Sequence, residues 1–474
     1  MLGCVSLIVL QAHNSRPIRR TANSIAFVHV TVIDPDHPTP QKNMTVLVAQ
    51  GRIQKIESSV HMHLQETTTV IDGSGKFLIP GLWDMHVHSQ NPQRDFAMYI
   101  ANGVLGVRNM GGHPEEVFHE REQTAGENVL GPAIVACGPI LDGPNPVVPG
   151  LSLSLHNPQE AREAVDRLKK DGADFLKVYD GLPRDVYFTI AHEAQRVNIP
   201  FEGHVPAEIR VREALEAGQR SIEHGAALRG ASSAEDYVVA HGSSVLEKAD
   251  QAHDLSLIPE AIAQDGNLIL DRYTEAQAIQ LYKDFVQHDT YLTPTLVAER
   301  SLTFVDEISR RPDTRLRFVP KDTQQRWKPE AGFLSRYRTA AYIRFRKREY
   351  AVINKAVFLA HKTGVSLLAG TDVTVPYIYP GFSLHDELKL MVEAGLTPAE
   401  ALSTATTAPA KFFHRENGLG TIRPGSEAGL VLLDADPLAD IANIDRIDTV
   451  FVHGTILTRS TLDKMLLDAE RSVQ

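Results

Sequence analysis

Two imidazoles one residue apart, His86 and His88 in the stretch PGLWDMHVHS, are the first side chains along this chain placed to do chemistry together. If the stretch is a strand, side chains alternate between its faces, so Asp84, His86 and His88 share one side while Trp83, Met85 and Val87 share the other. The apolar side can lie under helices while both imidazoles converge on one point, which suits a metal ion. A bare His-x-His is weak, since ordinary histidines near a turn show it too. The chain carries its own control: His61 and His63 repeat the spacing within SSVHMHLQETTT, where no apolar face anchors them, and read as a surface pair.

What separates the first pair from the second is the company it keeps. In Phe175-Leu176-Lys177-Val178-Tyr179, alternation puts Lys177 with Phe175 and Tyr179 and away from Leu176 and Val178. An inward ammonium is costly unless it is paired or loses its charge. Beside dications it can instead be deprotonated and take up carbon dioxide, forming a carbamate that binds two metals as a carboxylate does. The plainer alternative is a lysine that reaches solvent or pairs with Glu202. His204 in EGHVP and His224 in SIEHG each end a short strand and singly would be structural histidines. Asp372, after VSLLAG and Thr371, could equally be an N-cap. As a set, four histidines, a lysine and an aspartate at strand ends favour one shared site.

Such a set must be positioned by a parallel sheet. Between 81 and 414, apolar runs alternate with helical stretches: LWDMHVHS, GVLGVRNMG, AIVACGPIL, DFLKVYDG, PFEGHVP, SIEHG, YLTPTLV and VSLLAGTD. Eight such runs are what a closed (β/α)8 TIM-like barrel needs, and its active site lies at the C-terminal strand ends, where His86, His88, Arg108, Lys177, Tyr179, His204, His224 and Asp372 fall. One intervening helix has legible ends, with Asn157 as N-cap, Pro158 in the first turn and Gly172 at the stop; Thr397, Pro398 and Glu400 make a capping box for another. The flanks, 25–80 and 415–474, carry β-branched runs broken by turns and are expected to pair as a small discontinuous β-sandwich. Insertions at about Ala226 to Gln277 and Ser301 to Arg348 follow the sixth and seventh runs; the basic RYRTAAYIRFRKREY in the second reads as a solvated helix face over the mouth.

Bulk properties narrow the partners. At 474 residues and a formal net charge of -11, the chain can bury a large core and is a poor match for nucleic acid, leaving small molecules or dipeptides. No apolar run is long enough for a stable membrane span. With Cys4 and Cys137 alone, neither a disulfide framework nor a cysteine zinc cage is available, so a metal site must use His, Asp, Glu or something unusual. Residues 1–24 are apolar enough to be the remnant of an export signal but lack a basic leading segment, so both cytoplasmic and exported locations stay open, as does a homo-oligomer.

The ordered set of HVH, the lysine of FLKVYDG, the histidines of EGHVP and IEHG and the aspartate of GTD resembles the binuclear amidohydrolase superfamily. The likeness covers nearly the whole chain, since VLVAQGRIQKI, GKFLIPGLWDMHVH and GLGTIRPGSEAGLVLLDADPL resemble its composite β domain; the branch most similar is the imidazolonepropionase-related one that includes Xaa-Pro dipeptidases with a carboxylated lysine. The resemblance implies two divalent metals, with His86, His88 and Asp372 on the more buried ion, His204 and His224 on the other, carbamylated Lys177 bridging and Asp84 as a buried support. Ala428-Gly429-Leu430, where that family usually has Ala-Asp-Leu, puts a contact within the β domain in question.

The expected chemistry is hydrolysis of an amide. Zinc, favoured by ligand type alone, lowers the pKa of bound water from about 15.7 to about 7, so that hydroxide can attack the amide carbon. Asp372 accepts the proton and passes it to the leaving nitrogen, while Arg108 and Tyr179 are expected to contact the substrate. The expected substrate is a dipeptide, an N-acyl amino acid or a cyclic amide. An esterase or lactonase using the same site is the second reading, and a catalytically silent ligand-binding barrel the third.

Overall fold

A computed structural model describes residues 24–241 and 257–473, apart from 36, 38, 89, 90, 127 and 333. The N-terminal stretch read as a signal remnant lies outside the described residues, as does the middle of the first insertion. Among the described residues, no helix is long and apolar enough to cross a membrane.

The two ends of the chain build one sheet. Its order is Thr455–Thr458, Ile447–Val452, Leu430–Leu433, Phe77–Pro80, Ile25–Val32, Gln41–Ala49 and Arg52–Ser58, with Thr69–Asp72 also alongside Ile25–Val32. The ends meet where LVLL runs antiparallel to FLIP, with Leu430 opposite Pro80 and Leu433 opposite Phe77. Both segments are apolar at every position, which suits a central strand covered on two faces. The sandwich expectation needs correction, because all eight strands belong to a single sheet. It bends enough that Phe27 and Phe451, with two strands between their own, meet edge-on at 6.0 Å between ring centroids. A twisted sheet of this width can curl over its own apolar face. The Ala428-Gly429 contact is carried by main chain: Ala428 N donates to Gly51 O and Gly81 N to Gly429 O, each at 2.9 Å.

The middle of the chain forms two parallel sheets. Leu82–Val87, Val104–Asn109 and Ala133–Ala136 make one. The other runs Ser152–Ser154, Ile140–Asp142, Leu176–Val178, Phe201–Gly203, Ser221–Glu223 and Tyr291–Thr293. Seven of the eight expected runs thus contain strands, whose parallel direction gathers their C-terminal ends. A closed ring of paired strands, however, is not present among the described residues. The eighth run forms no strand but is bonded to both sheets: isolated bridges join Leu367 to Leu292 and Val373 to Val87, Met85 N donates to Ala369 O at 2.8 Å and Leu368 N to Leu292 O at 3.0 Å. It leaves the extended conformation at Asp372 (φ 56°), which donates to His86 O at 2.7 Å, so no regular ladder can continue. At the other seam Asp174 N donates to Ala136 O, but the return bond from Ala136 N goes to the Asp174 carboxylate, both at 2.9 Å. A side chain takes the place of the next rung.

Helices cover these sheets as their sequences require. In Pro158–Asp171 the Asn157 side chain accepts from Gln159 N and Glu160 N, and Gly172 ends the helix in the left-handed region at φ 89°. Its buried residues Ala161, Ala164, Val165 and Leu168 form a single stripe at helical spacing. The basic run of the second insertion lies on Ala340–Thr363, and its face is not wholly solvated: Arg346 sits against Glu299 and Glu349, whereas Arg348 stays exposed beside Asp271.

Candidate metal centre

The strand Leu82–Val87 is buried at all six positions, so its inward face offers polar groups to an enclosed space. Asp84 anchors that space. One carboxylate oxygen accepts from Thr371 N at 3.0 Å and His86 N at 3.3 Å, and the other from the Thr371 hydroxyl at 2.6 Å. Burial pushes the Asp84 carboxyl up to about 7 against those donors. By gripping Thr371, 287 residues further along the chain, it sets the position of the adjacent Asp372.

Four imidazoles form a row: the ring centroids of His88 and His86 are 5.5 Å apart, those of His86 and His224 4.8 Å, and those of His224 and His204 4.8 Å. Asp372 Oδ1 lies 3.4 Å from His86 Nε2 and 3.5 Å from His88 Nε2. Ligand atoms of His86, His224 and Asp372 all fall within 4.8 Å of one another.

In each of the four rings the protein occupies Nδ1. The partners are Glu223 Oε2 for His86 at 2.8 Å, Gly111 O for His88 at 3.1 Å, Asp180 Oδ1 for His204 at 3.0 Å and Thr295 Oγ1 for His224 at 2.6 Å. A carbonyl or an ionised carboxylate only accepts, so the first three rings carry their hydrogen on Nδ1 and keep a lone pair on Nε2. That is the arrangement by which outer groups orient metal-binding histidines. Burial lowers the pKa of His86 well below its ordinary value and brings His224 down to about 4, keeping both neutral. Asp372 goes the other way. Burial opposes its charge, but His86, His88 and His224 together hold its carboxyl well below the usual range.

Three buried polar atoms have no hydrogen-bond partner here: His86 Nε2, His204 Nε2 and Lys177 Nζ. An orphaned buried group costs about 1–3 kcal/mol unless something satisfies it. Lys177 is fully buried, and desolvation lowers its pKa despite Glu223 and Asp372. Neutral imidazoles, an ionised carboxylate and an amine biased towards its neutral, nucleophilic form fit divalent cations and a lysine carbamate. Gly203 clears the room: at φ 129°, a Cβ there would stand 2.3 Å from Val178 O and 2.8 Å from Lys177 Cδ.

Arg108, expected to face the substrate, does not. It is fully buried beneath the imidazoles, with Nε on Met85 O at 2.6 Å, Nη1 on Glu202 at 2.6 Å and Ser221 at 2.9 Å, and Nη2 on Glu223 at 3.0 and 3.1 Å and Thr293 at 3.2 Å. A guanidinium has five N–H donors, and these partners engage its whole fork. The alternative that an inward arginine offers, an ion-pair partner in the barrel core, is the one the structure bears out, with Glu202 and Glu223 as the partners. Tyr179 is half-buried and stacked on His204 with centroids 3.9 Å apart, and its ring is 5.6 Å from Lys177 Nζ.

Sequence reasoning missed Glu223, Asp180, Thr295 and Arg229. Glu223 was not legible from alternation, which puts neighbours Glu223 and His224 on opposite faces; both reach the site because His224 leaves the strand at φ 60°. Nor was Arg229, since its role is to clamp main chain. Its Nη2 donates to Val205 O at 3.4 Å, Pro206 O at 3.0 Å and Ile209 O at 2.6 Å, tying the loop after His204 to the segment after His224. His224, Thr295 and Asp372 all hold left-handed backbone, at φ 60°, 45° and 56°. Such conformations cost of order 1–3 kcal/mol each and gather at functional sites.

A profile of the amidohydrolase family matches residues 77–457. The bottromycin amidohydrolase has a similar structure, with a TM-score of 0.70 and 21% identity over 95% of this chain and 90% of that one. A Xaa-Pro dipeptidase solved with methionine in its active site gives a TM-score of 0.66 and 19% identity over 92% of this chain and 100% of the other. At these identities the likeness speaks for the fold alone. In sequence, a dihydroorotase from Citrifermentans bemidjiense is 39% identical over 72 residues, a match spanning 15% of this chain and 16% of that relative.

Proposed function

This chain belongs to the amidohydrolase family, and from that premise we propose that it is a binuclear metal-dependent hydrolase of a small amide, such as a dipeptide, an N-acyl amino acid or a cyclic amide. In this reading His86, His88 and Asp372 hold the more buried ion, His204 and His224 the second, and Lys177 bridges them as a carbamate. Zinc suits the ligand types best. The two parallel sheets and the run 365–373 act as one (β/α)8 ring, 81–414, with 25–80 and 415–474 as the accompanying β unit. The observation that carries the reading is the set of three buried atoms without a hydrogen-bond partner, His86 Nε2, His204 Nε2 and Lys177 Nζ, with the rings of His86 and His204 each 4.8 Å from that of His224.

Bound divalent ions supply Lewis acidity for a carbonyl and make water acidic near neutral pH. The chain's own residues do the rest. Asp372, beside the rings of His86 and His88, accepts a proton from the attacking water as the new C–O bond forms, then delivers it to the amide nitrogen as the C–N bond breaks. Glu223 and Asp180 fix the rings of His86 and His204 so that nothing need reorient during turnover. Tyr179, half-buried beside His204, is placed to contact the substrate's carbonyl or carboxylate.

The likeness to a Xaa-Pro dipeptidase directs the first assay. The purified chain is analysed for metal content and offered Xaa-Pro dipeptides, N-acyl amino acids and cyclic amides beside their matched esters and lactones. Two equivalents of divalent metal with chelator-sensitive turnover of an amide support the proposal. Faster cleavage of the esters or lactones would move it to the second class, and absent metal would overturn it.

A further inference from the structure

Thr295 differs from three threonines that cap helix starts in this chain, while Thr406 and Thr458 also precede helices without a side-chain cap bond but at negative φ. Thr274, Thr339 and Thr397 each precede a helix with ordinary extended backbone, at φ -137°, -69° and -71°, and each side chain accepts a hydrogen bond from an N–H of its own first turn. Thr295 precedes Leu296–Thr303 at φ 45° and ψ 49° and makes no such bond. A β-branched residue in the left-handed region is a strained outlier. Its helix start is served from elsewhere: the fully buried Glu387 accepts from Leu296 N at 3.0 Å and from Val297 N at 2.7 Å. Relieved of capping, the Thr295 hydroxyl meets His224 Nδ1 at 2.6 Å.

We propose that Thr295 is a positioning residue, held in strained backbone by Glu387 so that its hydroxyl fixes the orientation of the His224 ring at the second cation. This rests on the binuclear reading above. For Nε2 to offer a lone pair, Nδ1 must carry the hydrogen and donate it to Thr295 Oγ1. His224 itself sits at φ 60°, with its N–H on Thr293 O at 2.8 Å, so the threonine is the side chain that sets the ring on a backbone already fixed. A helix cap has been given up for a ligand's support.

The same position should therefore stabilise one property at the expense of another, and two substitutions separate them. Thr295→Gly removes the hydroxyl and also the strain, since glycine enters the left-handed region freely. Thr295→Ser keeps the hydroxyl. The full-length chain and both variants are stripped of metal, melted, and titrated with Zn2+ against a chromophoric chelator. The expected result is that Thr295→Gly melts at or above the parent temperature yet binds its second Zn2+ about 10- to 100-fold more weakly, the usual loss for an outer-shell partner, with the first unchanged. Thr295→Ser should bind both ions within about threefold of the parent. Parent-like uptake of both ions by Thr295→Gly would overturn the proposal while leaving the binuclear reading intact. So would a serine variant as weak as the glycine one. A parent chain that takes up fewer than two ions would overturn both.

Discussion

The two halves of the metal centre are built from the same side chain but supported in different ways. His86 and His88, 1% and 8% exposed, project from a strand buried along its whole length. Beneath His86 stands Glu223, and beneath Glu223 the fully buried Arg108, so that half continues into the core. His204 and His224 follow short strands and depend on loops. Their supports are Asp180, whose side chain is 50% exposed, the strained Thr295, and the Arg229 clamp on main-chain carbonyls. The difference teaches that the inner half is paid for by folding itself, whereas the outer half can be altered with little effect on stability.

Asp372 touches the rings of the inner half and sits near His224, so Asp372→Asn should reduce kcat by about 10²- to 10⁴-fold with the fold retained, the range for loss of a general base. Steady-state kinetics beside a thermal melt check this. Arg108→Met would leave Glu202 and Glu223 buried without their shared cation, and denaturant unfolding should show a loss of about 3–5 kcal/mol. Asp180→Asn should cost less than about 1 kcal/mol, being half-exposed, while weakening the second ion about 10- to 100-fold. Equal destabilisation by the last two variants would erase the distinction between the halves.

Acid provides a control away from both. Glu400, in the capping box of Pro398–Thr404, is brought down from 4.5 to about 2: burial opposes this, but bonds from Thr397 and His361 outweigh it. Because its folded pKa is depressed, its contribution is complete above about pH 4.5 and is lost as pH falls towards 2. Glu400→Gln should flatten that part of the stability profile in acid melts and leave metal uptake unchanged. The smallest effect belongs to the other His-x-His. Replacing exposed His61 and His63 by alanine should shift stability by no more than about 0.5 kcal/mol and leave metal content as it was.

That second pair shows what could be read in advance. His61 and His63 share the spacing of His86 and His88, yet only the latter lie on or directly after a strand with an apolar reverse face, and the other site residues of the chain tell the pairs apart. The strand runs, the helix ended by Gly172 and the pairing of the two chain ends were legible because each follows from a local period or cap. What failed was long-range. Nothing local in VSLLAGTD reveals that Asp372 turns into left-handed backbone and interrupts a ladder, or that Asp174 replaces a rung with its side chain. Arg108 was misjudged for a similar reason. An inward arginine looks the same in sequence whether it meets a substrate or two buried glutamates, and Glu202 and Glu223 lie 94 and 115 residues further along the chain.

The most direct test is anomalous diffraction at the zinc edge from crystals grown with zinc and bicarbonate. The account predicts two peaks per chain, one bound by His86, His88 and Asp372 and the other by His204 and His224, with density for a carboxylate on Lys177 between them. A single peak, or two peaks flanking a bare Lys177 amine, would contradict it.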